Sequence, residues 1–488
     1  MGGQTEVSGF RKSLNLIDST AIVAGSMIGS GIFIVSAEMS RNLGSPGWLL
    51  IAWVITGVMT IAAALSYGEL ASMMPRAGGQ YIYLREAFNP MSGFLYGWTF
   101  FLVIQTGTIA AVGMAFAKFF GVLVPWFSES NVLLNLGVVK INTVHLLAIS
   151  SILVLTINNL LGIRNGKWVQ NIFTALKALM LLAFIILGLF VARNPEAVQT
   201  NAAIFWKPQS ISGEALTGWS LIAAIGVAMV GSLFSSDAWN NITFAAGEVK
   251  NPKRNIPLSL AFGVIIVTVM YLLANFAYLN ALPLRGLENG STVFERGIQF
   301  AANDRLGSAT MFVLFGSMAS LLMAIFVVIS TFGCNNGLIL SGARVYYAMA
   351  SDKLFFRKVG TLNKFGVPGK ALITQGVWAS LLCLSGTYSN LLDYVVFAVL
   401  IFYVLTIAGL FRLRKLKPDA ERPYKAFGYP VVPALYMILA ILIMAILLIY
   451  RPVYTWPGLI IVISGIPVYY IWKRISKPRD ASPEGMSN

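Results

Sequence analysis

Two runs of small residues interrupt apolar stretches that would otherwise each form one membrane helix. The first is Gly25-Ser26-Met27-Ile28-Gly29-Ser30-Gly31 and the second is Gly231-Ser232-Leu233-Phe234-Ser235-Ser236-Asp237. Both follow the frame Gly-Ser-apolar-apolar-small-Ser. Glycine costs about 1 kcal/mol against alanine inside a helix, so both runs favour a break. A break exposes carbonyls that end one half-helix and N–H groups that start the next, attracting an ammonium and a carboxylate respectively. A zwitterionic α-amino acid carries both charges close together. Ser30 and Gly31, in the opening that also holds Ile28 and Gly29, are candidates for the carboxylate. The carbonyls of Met27 and Phe234 are candidates for the ammonium, with Asp237 adding a full negative charge beside it and Ser235 part of the same opening. In lipid, unwound backbone survives only where protein or a cavity covers it. A matched pair of breaks points to a ligand site at the midplane of a transporter. The competing reading is close helix packing through small residues, and for Asp237 a helix cap.

Lys177 is the one cation expected inside the membrane. It follows Lys167 by ten residues, about 15 Å along a helix. A central lysine is costly in lipid, so it should face protein polar groups, and the carbonyls freed at the first break are suitable. A fixed ammonium there would do the electrostatic work of a sodium ion. Burial could also depress its pKa and make it a proton carrier. The competing reading is a side chain that snorkels to the interface.

The elements that must position these groups follow from composition. Of 488 residues, 57% are hydrophobic and 11% charged, with mean hydropathy +0.75. Twelve spans are expected near 14–40, 48–73, 91–120, 143–161, 167–192, 216–247, 257–282, 308–338, 369–388, 391–411, 432–450 and 457–473. With both ends in the cytoplasm, 25 of the 35 cations fall on that side and nine opposite, the asymmetry of a cell (inner or plasma) membrane protein. The net charge of +16 is thereby a topology signal and a contact with anionic lipid, not a nucleic-acid surface. Five spans precede the second break and five begin with it, which predicts an inverted repeat, 14–192 and 216–411. Accessory spans at 432–473 and cytoplasmic tails at 1–13 and 474–488 complete the expected organisation. The amino-terminal residues lack the apolar core of a signal peptide. Two cysteines, Cys334 and Cys383, and one histidine, His145, give no metal-ligand spacing. No phosphate-binding loop and no nucleophile–base set is visible, so neither an enzyme nor a cofactor is expected. Glu69, near the end of the second span, is expected to pair with a loop cation.

Several stretches resemble one family. Ser26-Met-Ile-Gly-Ser-Gly-Ile-Phe is similar to the first-helix signature of the amino acid–polyamine–organocation (APC) superfamily. Tyr67-Gly-Glu-Leu, Pro75-Arg-Ala-Gly-Gly-Gln-Tyr, Phe173-Thr-Ala-Leu-Lys177, Phe234-Ser-Ser-Asp-Ala-Trp-Asn and Lys417-Pro-Asp-Ala-Glu-Arg-Pro-Tyr resemble the L-type amino-acid transporter (LAT)-like branch and its prokaryotic homologues. The resemblance implies an all-α LeuT-type fold with helices 1 and 6 discontinuous. It also implies sodium-independent exchange of L-amino acids by alternating access. Lys177 would bridge the first helix to the eighth near Ser330 or Thr331, and Thr108 and Val112 would flank the substrate side chain. Phe234, beside the second break, is the expected gate. Residues 121–142 lack the cysteine that links animal light subunits to a heavy subunit, so no disulfide-linked partner is expected. Some relatives that accept cationic substrates carry an acid where Asp237 stands. Proton-coupled uptake through Lys177 or Asp237 is the alternative mechanism, and a membrane amino-acid sensor the alternative of another class.

Overall fold

The computed structural model describes residues 10–135, 140–384 and 388–475. Eleven helical segments among them are long and apolar enough to cross a membrane. The helix Gly369–Cys383, with 15 residues, occupies the place of the ninth expected span. The other spans follow in the expected order, so the chain is an all-α, multi-pass membrane protein. The apolar side chains on the outside are those that meet lipid. Along the fifth span, Ile163–Phe190, Leu179, Leu182, Ile186 and Phe190 are exposed. Gln170, Thr174, Lys177, Leu181 and Phe184 are buried on the other face, at helical spacing.

The first span is broken. Leu16–Met27 is helical, Ile28 is extended (φ −72°, ψ 95°), Gly31–Phe33 forms one 3-10 turn, and Val35–Leu43 resumes the helix. The sixth span is broken too. Gly218–Ser235 ends at Ser236, Ala238 takes a positive φ of 65°, and a short helix follows at Asn241–Phe244. Positive φ is strained for alanine and persists only where surroundings impose it.

Other elements depart from expectation. The third span, Pro90–Leu123, contains a π-helical segment at Phe100–Ile104. The eighth helix runs on to Ser351, thirteen residues past the expected 338. Between the third and fourth spans lies a two-stranded hairpin, Val132–Asn135 with Lys140–Asn142. His145 sits in the first turn of the fourth helix, where its Nδ1 accepts from the Asn142 N–H as part of the cap.

On the face where Ser13, Leu14 and Glu248 meet, polar contacts join distant segments. Ser13 and Leu14 donate to the Glu248 carbonyl, and Lys250 donates back to Leu14. Lys167 pairs with Asp18 at 3.1 Å, and Arg344 pairs with Glu248 at 2.9 Å, both members of the second pair being buried. Glu86 accepts from Arg85 (2.9 Å) and Lys417 (3.1 Å). Burial alone would raise the Glu86 carboxyl, but these two cations outweigh it and hold it below its ordinary pKa.

Glu69 is fully buried and accepts from Arg414 Nη2 (2.6 Å), Arg414 Nε (2.9 Å) and the Ala426 N–H (2.7 Å), with Arg422 Nε 3.3 Å away. The expected pairing therefore involves a helix-end cation as well as a loop one. Removing one partner of a buried pair costs about 3–5 kcal/mol, because the other charge is left uncompensated. Arg414 is partly exposed, which favours the lower end. Glu69→Ala is expected to lower the unfolding temperature in detergent by several degrees, and Glu69→Gln, which keeps the acceptor for Ala426, by less. An unchanged unfolding temperature for Glu69→Ala would remove the cluster from any account of stability.

Candidate transport site at the helix breaks

The fifth helix turns Lys177 inward because Gln170, Thr174 and Lys177 share its protein-facing side. Lys177 Nζ donates to the carbonyls of Gly25 and Ile28 (2.7 Å to the latter), and stands 3.5 Å from the Ser330 carbonyl. These first two are carbonyls at the end of the first half-helix, left without intrahelical donors by the break. The side chain is fully buried, so it does not snorkel. Ser330 joins the cluster, its hydroxyl lying 3.2 Å from both the Ile28 and the Gly29 carbonyls. Thr331 does not, since its hydroxyl bonds back to Val327 at 2.6 Å on its own helix. Cys334 donates to the Ser26 carbonyl at 3.0 Å.

The two breaks touch. A Cβ at Gly31 would overlap the Ser235 hydroxyl and lie 2.9 Å from Ser235 Cβ, so only glycine fits there. Gly25 is similarly confined by Gln170 and Thr174. The carbonyls proposed for the ammonium already hold donors from within the chain. Met27 accepts from the Tyr271 hydroxyl at 2.9 Å, and Phe234 from the Asp237 N–H at 3.1 Å. The Met27 carbonyl keeps a second lone pair, whereas the Phe234 carbonyl is also approached by the Ser236 N–H. Phe234 is half-buried, and Ser30 and Gly31 are buried.

Tyr271 was not legible as a site residue. Its hydroxyl stands 2.9 Å from the Met27 carbonyl and 3.2 Å from the Ser235 carbonyl, tying the two breaks together. One and two turns along the same helix, Asn275 accepts from Ser36 at 2.7 Å and Tyr278 donates to Ile32 at 3.0 Å. The i, i+4, i+7 spacing of these polar groups in an apolar helix is the signal that could have found them.

Asp237 accepts from the Tyr403 hydroxyl at 2.6 Å and lines two narrow clefts. One is bounded by the π-helical segment through Phe100 and Ile104, together with Thr108, Gln105 and Asn241. Such π turns often mark functional sites. Val112, one turn beyond Thr108, is buried. None of residues 27–31 lines either cleft. At the other end of the first span from Leu14, a wider cleft opens between Val35, Phe119, Glu129 and Arg305.

Comparison with known proteins agrees with this architecture. The family model for amino acid permeases matches residues 14–469. The chain is 30% identical to the b(0,+)-type amino acid transporter 1 of Mus musculus, over 97% of this chain and 92% of that protein. It is 29% identical to the serine/threonine exchanger SteT of Bacillus subtilis, over 96% and 99%. The large neutral amino acids transporter small subunit 2 of Mus musculus is 31% identical, over 94% and 81%. With a broken first span, a broken sixth span and a family match over nearly its whole length, the chain belongs to the amino acid permease family of the APC superfamily, as a LAT-like transporter and not an enzyme.

Proposed function

We propose that the protein is a sodium-independent exchanger of L-amino acids, working by alternating access in the cell membrane with both termini cytoplasmic. The observation that carries this reading is Lys177, whose ammonium ties the first-helix break to the eighth helix. A cation is useful there because it holds half-helix carbonyls together, and a resident lysine does so without an ion to import. The substrate carboxylate would meet the N–H groups at Ser30 and Gly31, and its ammonium the carbonyls of Met27 and Phe234. Thr108 and Val112 would flank the side chain, Asp237 would stand beside the ammonium, and Phe234 would close over the substrate. The bundle that contains helices 1 and 6 would rock, releasing the contacts of Ser13 and Leu14 with Glu248 when the inner face opens.

One observation favours a second reading. Asp237 is paired with a hydroxyl and with no cation among the described residues, and it borders two clefts. That suits proton coupling or a cationic substrate. Proteoliposomes separate the two. Exchange predicts that uptake depends on internal amino acid and is indifferent to sodium and to an imposed pH gradient. Uptake into empty vesicles that requires an inward proton gradient would replace exchange by proton coupling.

A further inference from the structure

We propose that Arg305 forms a receiving site for the carboxylate of an incoming amino acid in the wide cleft, ahead of the midplane site. The proposal rests on the transport function above.

Three acidic side chains face this cleft, and each already has a cation. Asp304 pairs with Arg41 (2.6 Å), Glu129 with Lys118 (2.8 Å) and Glu38 with Arg451 (3.0 Å). Arg305 is the cation left over. Among the described residues no carboxylate comes within 4.0 Å of its guanidinium, and that group donates no hydrogen bond. Glu129 acts on it only from beyond ion-pair distance. The guanidinium carbon lies 5.0 Å from the centre of the Phe119 ring, so the planar group is held against an aromatic face. Arg305 and Phe119 line both the wide cleft and a neighbouring one. Arg305 is half-buried, which strengthens its field while leaving donors accessible.

A guanidinium presents a fork of donors that matches a carboxylate bidentately. The Glu129 and Glu38 carboxylates line the same cleft and offer partners for the ammonium of such a zwitterion. Every amino acid shares these two groups, so the site selects for the class and leaves side-chain choice to the midplane. Its effect is to raise local substrate concentration on one face only.

The test is counterflow in proteoliposomes of determined orientation, using the best exchanged of the twenty standard amino acids. Arg305→Gln is expected to raise KM from the cleft face about five- to tenfold, the loss of one partly exposed charge-assisted pair. KM from the opposite face and the maximal rate stay unchanged, and Arg305→Lys gives a smaller rise. An unchanged KM, or an equal rise on both faces, overturns the proposal. A wild type whose exchange is lost when chloride is replaced by sulfate would make Arg305 an inorganic-anion site and overturn it equally. A wild type that exchanges none of the twenty overturns the transport function, and this inference with it. Normal exchange with a silent Arg305→Gln overturns the inference alone.

Discussion

Replacing Lys177 by alanine is expected to reduce counterflow by at least about 100-fold while leaving a folded, monodisperse carrier. The ammonium serves carbonyls of Gly25, Ile28 and Ser330 from a fully buried position. A hydrogen bond to a charged group contributes about 1.5–3 kcal/mol, and a buried acceptor left without a donor costs about 1–3 kcal/mol. Loss of two hydrogen bonds to a charged group, about 3–6 kcal/mol together, already exceeds about 2.8 kcal/mol, the free energy of a hundredfold change. The helix itself is not at stake, because alanine is the better helix former. Lys177→Gln separates charge from hydrogen bonding, since it keeps donors without the ammonium. If the charge holds the break in its transporting geometry, Lys177→Gln remains nearly as impaired as Lys177→Ala. Wild-type counterflow by Lys177→Gln would show that a neutral donor suffices, and the comparison with a sodium ion would fall.

The inward direction of that lysine could be read from sequence because a charge at mid-depth in lipid is costly unless it faces protein polar groups, and the structure puts Gln170 and Thr174 on the same face. The breaks were readable for a similar local reason: glycine and serine clusters weaken a helix wherever they occur. What escaped were features decided by contacts between distant segments. Tyr271 gains its meaning from the Met27 and Ser235 carbonyls, which only the folded arrangement brings together. The π segment Phe-Phe-Leu-Val-Ile at 100–104 contains neither glycine nor proline. Phe100 and Ile104 are buried there, and no local propensity announces the altered register. The end of the eighth helix was placed too early because hydropathy measures the apolar stretch, not the helix. Past Gly333 the chain turns polar, yet Asn336 bonds Gln170 (3.0 Å) and Gly166 (2.9 Å), and Arg344 pairs with Glu248. Once their polar groups are satisfied, these residues can continue a buried helix. Ser330 rather than Thr331 meets the first helix for the same reason, since helical phase turns one hydroxyl toward the break and the next toward its own backbone.

Contact between the two breaks makes a second strong expectation. Gly31→Ala should lower counterflow about 10- to 100-fold, because its Cβ would lie 2.9 Å from Ser235 Cβ and 3.2 Å from Ser235 Cα, and would overlap the hydroxyl. Carbon atoms pack best at about 3.5–4.0 Å, so one break must be pushed off the other. Overpacking of this kind costs about 1–3 kcal/mol. The opposing side chain is dispensable by comparison: the Ser235 hydroxyl donates only to Gly231, on its own helix, at 3.0 Å. Ser235→Gly alone should therefore impair transport modestly, through the lower helix propensity of glycine near a helix end. Combined with Gly31→Ala it removes the worst of the overlap and leaves the 3.2 Å approach to Cα. The double variant is expected to recover about tenfold over Gly31→Ala, a coupling that a double-mutant cycle measures directly. Additive effects of the two substitutions, or a Gly31→Ala carrier that exchanges normally, would mean that the halves of the chain do not bear on each other here. A positive coupling would instead show that the geometry of one opening is set by the other, which is what a zwitterion held between opposed backbone ends requires.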